Sequence, residues 1–118
     1  MNNDAREIFD LLRNKRFMLS NEKSVQADIE KLFKSLSVSH KREHILDENN
    51  IIDFLMDNGV GIEVKIKGQK REMYKQCERY AQFEDIKQLI LLTSVSTGMP
   101  QEINNKPIHV LNLSRAWL

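Results

Sequence analysis

Residues 51–67 constrain the fold more than any other stretch of this chain. Ile51 to Met56 is a mostly apolar run, Asp57-Asn58-Gly59 is a turn, and polar and apolar residues alternate from there to Lys67. An Asn-Gly step between two such runs is a strong short-range sign of a β-hairpin. On the second strand Ile62, Val64 and Ile66 share one face, and Glu63, Lys65 and Lys67 share the other. Asp53 lies inside the first strand. Charged side chains in such surroundings are costly to bury unless they pair or bind a metal. The length of the turn decides whether they meet. With Asn58-Gly59 as a two-residue loop, Asp53 would oppose Val64 and face away from Glu63. An odd loop, or a bulge allowed by Gly59 and Gly61, would bring Asp53 to Glu63 and Lys65. The expectation is therefore a three-residue loop or a bulge between residues 57 and 61.

The rest of the chain reads as one α/β domain spanning residues 1–118. Its parts are an N-terminal helical extension (1–19), a core (20–95) and a C-terminal loop and strand (96–118). Ile8, Leu11 and Leu12 lie at helical spacing within residues 4–16. Ser20 reads as the N-cap of a second helix that carries Val25, Ile29, Leu32, Phe33 and Leu36 on one face. Strands are expected over 39–46, 51–56 and 60–67. A helix follows over 69–83, with Met73, Cys77, Tyr80 and Ala81 inward. The run at 86–94 is apolar enough for a central strand buried on both sides, and 108–113 reads as a last strand. This order predicts an antiparallel meander, a crossover helix and a parallel strand, hence a mixed sheet.

Composition narrows the classes further. Charged residues make up 30% of the chain and the net charge is +1. The longest apolar run, Leu89 to Leu92, is far too short to span a bilayer. No basic segment leads into an apolar one at the N-terminus, and Cys77 is the single cysteine. A reducing cytoplasm is the expected location, with no membrane partner. A homodimer would help to stabilise the modest core of a chain this size. The charge is unevenly spread. Residues 51–63 hold three acids and no base, whereas residues 64–80 hold six bases against Glu72 and Glu78. An acidic block followed at once by a basic one suits a cation site beside an anionic polymer. Within the basic block Arg71, Lys75 and Arg79 recur every fourth residue, as a stripe for backbone phosphates or as a plain solvated face.

Paired carboxylates beside a lysine suit metal-assisted phosphodiester hydrolysis. Hard oxygen ligands favour Mg²⁺ or Mn²⁺. Asp53 and Glu63 would be the ligands, with the Val64 carbonyl as a third, and the Lys65 ammonium could orient water or stabilise phosphoryl charge. The bland alternative is a cross-strand ion pair on an exposed sheet face. His40, His44 and His109 are scattered and read as structural, Cys77 as core filling, and Trp117 with Leu118 as a core cap or dimer contact.

Asp53 followed by Glu63-Val64-Lys65 resembles the core motif of the PD-(D/E)XK nuclease superfamily, and the element order resembles its restriction-endonuclease-like α-β-β-β-α-β core. Gln76-Cys77-Glu78-Arg79-Tyr80 resembles the Q-x-x-x-Y element of the branch containing RecB-like nucleases. Ile52 stands where the motif often has proline. The stretch from Lys106 to Leu118 resembles small phage and prophage nuclease-like proteins. The resemblance implies a Mg²⁺- or Mn²⁺-dependent endonuclease acting on DNA, phage-encoded in a bacterial cytoplasm. It is similar to stand-alone virus-type replication-repair nucleases and Holliday-junction resolvases. It implies that Asp53 and Glu63 hold the metal, that Lys65 serves the attacking water, and that Gln76 and Tyr80 support the site or touch phosphate. It also implies another acid from the first core helix. Glu22 is the favoured candidate, with Glu30 second, and Glu43 on the first strand is a third. The alternative function is a non-catalytic nucleic-acid-binding module on the same fold.

Overall fold

The structure is a computed structural model that describes residues 1, 3–19 and 21–114. Ser20, Trp117 and Leu118 fall outside the described residues. The elements are α1 (Asn3–Arg13), α2 (Glu22–Ser35), β1 (His40–Asp47), β2 (Asn50–Met56), β3 (Val60–Val64), α3 (Lys70–Tyr80), β4 (Gln88–Thr93), β5 (Glu102–Ile103) and β6 (Lys106–Asn112). The strands form one mixed sheet in the order β1-β2-β3-β4-β6-β5. β2 runs antiparallel to both β1 and β3, while β3, β4 and β6 run parallel. The short β5 pairs with β6 and was not foreseen from the sequence.

Helices cover both faces of the sheet. α1 and α2 cover one face with Ala5, Ile8, Leu12, Val25, Ile29 and Phe33, packed on Phe54, Ile62, Val64, Ile90 and Leu92. α3 covers the other face with Met73, Cys77, Tyr80 and, just beyond its end, Ala81, packed on Leu55, Leu89 and Leu91. β4 lies parallel to both neighbours between these two layers. All six of its residues are buried, and this explains its unbroken apolar sequence. The second helix is capped by Asn21, whose side chain accepts the Ser24 N–H at 2.8 Å. Leu36, expected on its inner face, ends that helix and is 50% exposed.

The β2–β3 turn fixes the register. Phe54 pairs with Ile62 and Leu55 with Gly61, which leaves Asp57, Asn58 and Gly59 as the loop. The Gly59 N–H donates to the Met56 carbonyl at 3.0 Å, and Gly59 has φ +84°. A three-residue loop closed by a left-handed residue has this form. One step further along the same register, Asp53 stands opposite Glu63, as the odd-loop reading required. A Cβ at residue 59 would be strained by its φ and would meet Lys87 Cγ. Gly59→Ala is therefore expected to lower the unfolding free energy by about 1–3 kcal/mol, measured by urea denaturation.

The β1–β2 hairpin changes faces midway. His40 and Arg42 lie with α2, and Phe54 packs in that helix's layer. Beyond the level of Glu43 and Asp53, Leu46 and Ile52 belong to the α3 layer. Glu43 takes the left-handed region, φ +51°, at this level, while the pairing resumes unshifted at His44 and Ile52. The reversal aims Ile52 over Gly61, where even a Cβ would come within 2.6 Å of Ile52 Cδ1. It also leaves Ile45 and Ile51, a facing pair, exposed on the opposite side.

Candidate metal-binding and nucleic-acid site

Asp53 and Glu63 stand one step beyond the Phe54–Ile62 pair, where the regular β2–β3 ladder stops. Their side chains extend the pairing. The Val64 N–H donates to Asp53 Oδ2 at 2.7 Å, and the Asp53 N–H donates to Glu63 Oε1 at 3.3 Å. Each carboxylate thus satisfies a backbone donor on the facing strand, which a regular ladder would satisfy with a carbonyl. Glu63 is 7% exposed. α3 supplies the rest of its shell. Gln76 Nε2 donates to Glu63 Oε2 at 3.0 Å and to the Tyr80 hydroxyl at 3.1 Å. That hydroxyl lies 2.9 Å from the Ile51 carbonyl and 3.3 Å from Glu63 Oε1, so its single proton serves two acceptors. The four-residue spacing of Gln76 and Tyr80 puts both on the flank of α3 that faces β2 and β3.

The electrostatics follow from this crowding. Burial first, then the Asp53 carboxylate, pushes Glu63 up to about 8, against the pull of the Asp53 N–H, the Tyr80 hydroxyl and the Lys65 ammonium. Asp53 is raised as well, mainly by burial. The Val64 N–H opposes this, and Glu22 adds to it. Burial and Glu63 together push the Cys77 thiol up to about 12, which suits core filling and not nucleophilic chemistry. A cation at the carboxylates would offset their mutual repulsion.

Lys65 follows directly after β3 and is half-buried, its N–H donating to the Leu92 carbonyl at 2.8 Å. Its side chain runs toward Gly68, where a Cβ would lie 3.7 Å from Lys65 Cε. Glu22 begins α2 and lines a small cleft with Asn21, Ile66 and Lys67. The other two candidate acids are committed elsewhere. Glu30 bonds Arg42 at 3.0 Å and lies near His40 and Lys34. Burial would raise Glu30, but these partners hold it below the usual carboxylate range. Glu43 pairs with Lys23 at 3.4 Å. Among the described residues, no group of three or more His, Cys, Asp or Glu side chains is arranged to hold a metal ion.

The three histidines do not converge. His40 contacts Glu30 and the Val38 carbonyl, His44 pairs with Asp85, and His109 meets Gln88. Arg71, Lys75 and Arg79 are all exposed on α3, with Arg79 Nε donating to Asn50 Oδ1 at 3.3 Å. Two features escaped the sequence reading. One is the Arg42–Glu30–Gln26 network, which needed the pairing of β1 with α2 to become visible. The other is Tyr74, an aromatic off the apolar face of α3 and three residues after Arg71, 39% exposed.

No protein-family model matches the chain, and no curated protein or solved structure is significantly similar to it. Among the described residues, no helix is long and apolar enough to cross a membrane.

Proposed function

We propose that this chain is a divalent-metal-dependent nuclease of PD-(D/E)XK type that hydrolyses DNA phosphodiester bonds. The observation that carries the reading is the opposition of Asp53 and Glu63, with Gln76 and Tyr80 both placed on Glu63. The donor set fits Mg²⁺, which is commonly held by one or two carboxylates with its remaining positions left to water and substrate phosphate. Asp53, Glu63 and the Val64 carbonyl would hold it, with Glu22 near enough to add negative charge. When bound, the ion would supply Lewis-acid stabilisation of the phosphoryl oxygens and a more acidic water. The chain's own groups do the positioning. Gln76 and Tyr80 fix the rotation of the Glu63 carboxylate, and the Val64 N–H fixes that of Asp53. Lys65 brings a cation to the same end of β3, where it would orient the attacking water or meet the charge developing on phosphate.

The decisive assay is a panel of linear, nicked, flap and four-way DNA, each with Mg²⁺, Mn²⁺ or EDTA. Cleavage is expected with either metal and none in EDTA. Gln76→Ala is expected to reduce cleavage by about 10–100-fold, the usual cost of losing a group that orients a metal ligand. The pairing of Glu30 with Arg42 and of Glu43 with Lys23, which commits two of the candidate acids elsewhere, favours a second reading, a non-catalytic nucleic-acid-binding module. That reading expects salt-dependent binding, indifferent to metal, with no cleavage.

A further inference from the structure

The connection after β4 leaves a cleft beside α3 that the nuclease reading does not use. Its volume is about 350 Å³ and it is lined by Lys70, Arg71, Tyr74, Thr97, Gly98 and Met99. Its composition is uneven in a specific way. One wall, from the first turns of α3, carries two cations and a half-exposed aromatic ring. The other wall, from residues 97–99, carries a thioether, a glycine and a hydroxyl. Thr97 Oγ1 is buried and has no hydrogen-bond partner. Gly98 has no neighbour within 4 Å of where a Cβ would stand, so the mouth of the cleft is open there. The start of α3 adds to the polarity, because Gln69 makes no side-chain cap to its first N–H groups.

This set matches one chemistry. A base needs an apolar or aromatic plane to stack on, its edge needs a polar partner, and its phosphates need cations. Tyr74 with Met99, Thr97, and Lys70 with Arg71 provide these in turn. A duplex keeps its bases stacked on one another and cannot present one to such a plane. The cleft also has the right location. β3 and β4 are parallel, so Lys65 and residues 94–99 both follow carboxyl ends on one edge of the sheet. Ligands of open α/β sheets bind at that edge.

We propose that this cleft seats an unpaired nucleotide of a single-stranded polynucleotide, with the base against Tyr74 and the flanking phosphate on Arg71 and Lys70. The proposal deepens the nucleic-acid reading above and names its substrate class as strands with unpaired bases. Strand binding here does not require the Asp53–Glu63 pair.

The test is therefore made in EDTA. Fluorescence anisotropy would compare a labelled thymidine oligonucleotide, a uridine oligonucleotide and duplex DNA at one fixed low salt concentration. Wild-type protein is expected to bind the single strands more tightly than the duplex. Tyr74→Ala is expected to weaken single-strand binding about tenfold, in the range measured for loss of one stacking ring, and to leave duplex binding unchanged. Tyr74→Phe should keep wild-type affinity. Gly98→Leu, which fills the mouth at a position with free space, should weaken the single strands as Tyr74→Ala does. Wild-type affinity in both Tyr74→Ala and Gly98→Leu, or equal losses for duplex and single strand, would overturn the proposal. No cleavage with Mg²⁺ or Mn²⁺ by wild-type protein that still binds the single strands in EDTA would overturn the nuclease reading alone.

Discussion

Lys65→Ala protein is expected to fold normally and to lose metal-dependent DNA cleavage by about a hundredfold to a thousandfold, as when a preorganised charge-stabilising donor is removed. Gel cleavage assays with Mg²⁺ measure the rate, and thermal melting checks the fold. This variant gives the cleaner reading because the Lys65 backbone, and not its ammonium, holds the sheet through the Leu92 carbonyl. Asp53→Ala should also abolish cleavage, but it removes the acceptor of the Val64 N–H as well. A buried donor left without a partner costs about 1–3 kcal/mol, so a loss of activity there would mix two causes. Undiminished cleavage by Lys65→Ala would remove Lys65 from the proposed chemistry while leaving the carboxylate pair in place.

Glu63→Gln is expected to stabilise the protein at alkaline pH. Glu63 titrates near its ordinary value, about 4.5, when unfolded, and near about 8 when folded. The folded state therefore holds its proton more tightly. Stability from this group is fully present below the unfolded value, declines as pH rises between the two, and is lost above about 8. Asp53, also raised, pushes in the same direction. Asp47 and Glu30, both lowered, act oppositely and lose their contributions toward acid, which the comparison with the variant cancels. Glutamine keeps an acceptor for Gln76 and carries no charge. Melting curves should coincide near pH 5 and separate as pH rises, with the variant about 5 °C higher at pH 8.5. Mg²⁺ should narrow that gap by stabilising the wild type. Parallel wild-type and variant profiles would mean that the carboxyl is not desolvated as described.

The hairpin was the most legible part of the sequence. The periods of β2 and β3, together with the requirement that Asp53 reach Glu63, left an odd loop or a bulge as the choices, and Gly59 supplies the first. The apolar run of β4 likewise announced a strand buried on both faces. The reversal at Glu43 was hidden, because a glutamate with φ above zero has no mark in the sequence and its strand still alternates on either side. It decides which of Ile51 and Ile52 is buried. The helix start was misjudged by one residue: Ser20 and Asn21 are both good caps, and only geometry chose Asn21. For the candidate site, the resemblance to a Q-x-x-x-Y element singled out Gln76 and Tyr80, and their four-residue spacing only put both on one flank of α3. The commitment of Glu30 to Arg42 depended on how β1 packs against α2, a long-range contact that local pattern does not encode.

The three-residue turn also limits how this sequence can change in length. Side chains alternate along a strand, so parity in the 57–59 turn acts as a reading frame in space. Inserting or deleting one residue there would exchange the inner and outer faces of β3 relative to β2, separating Asp53 from Glu63 and turning Ile62 toward α3. Two residues could be added with the frame intact. Homologues that keep the carboxylate pair should therefore vary this turn in even steps, or carry a bulge that restores the count.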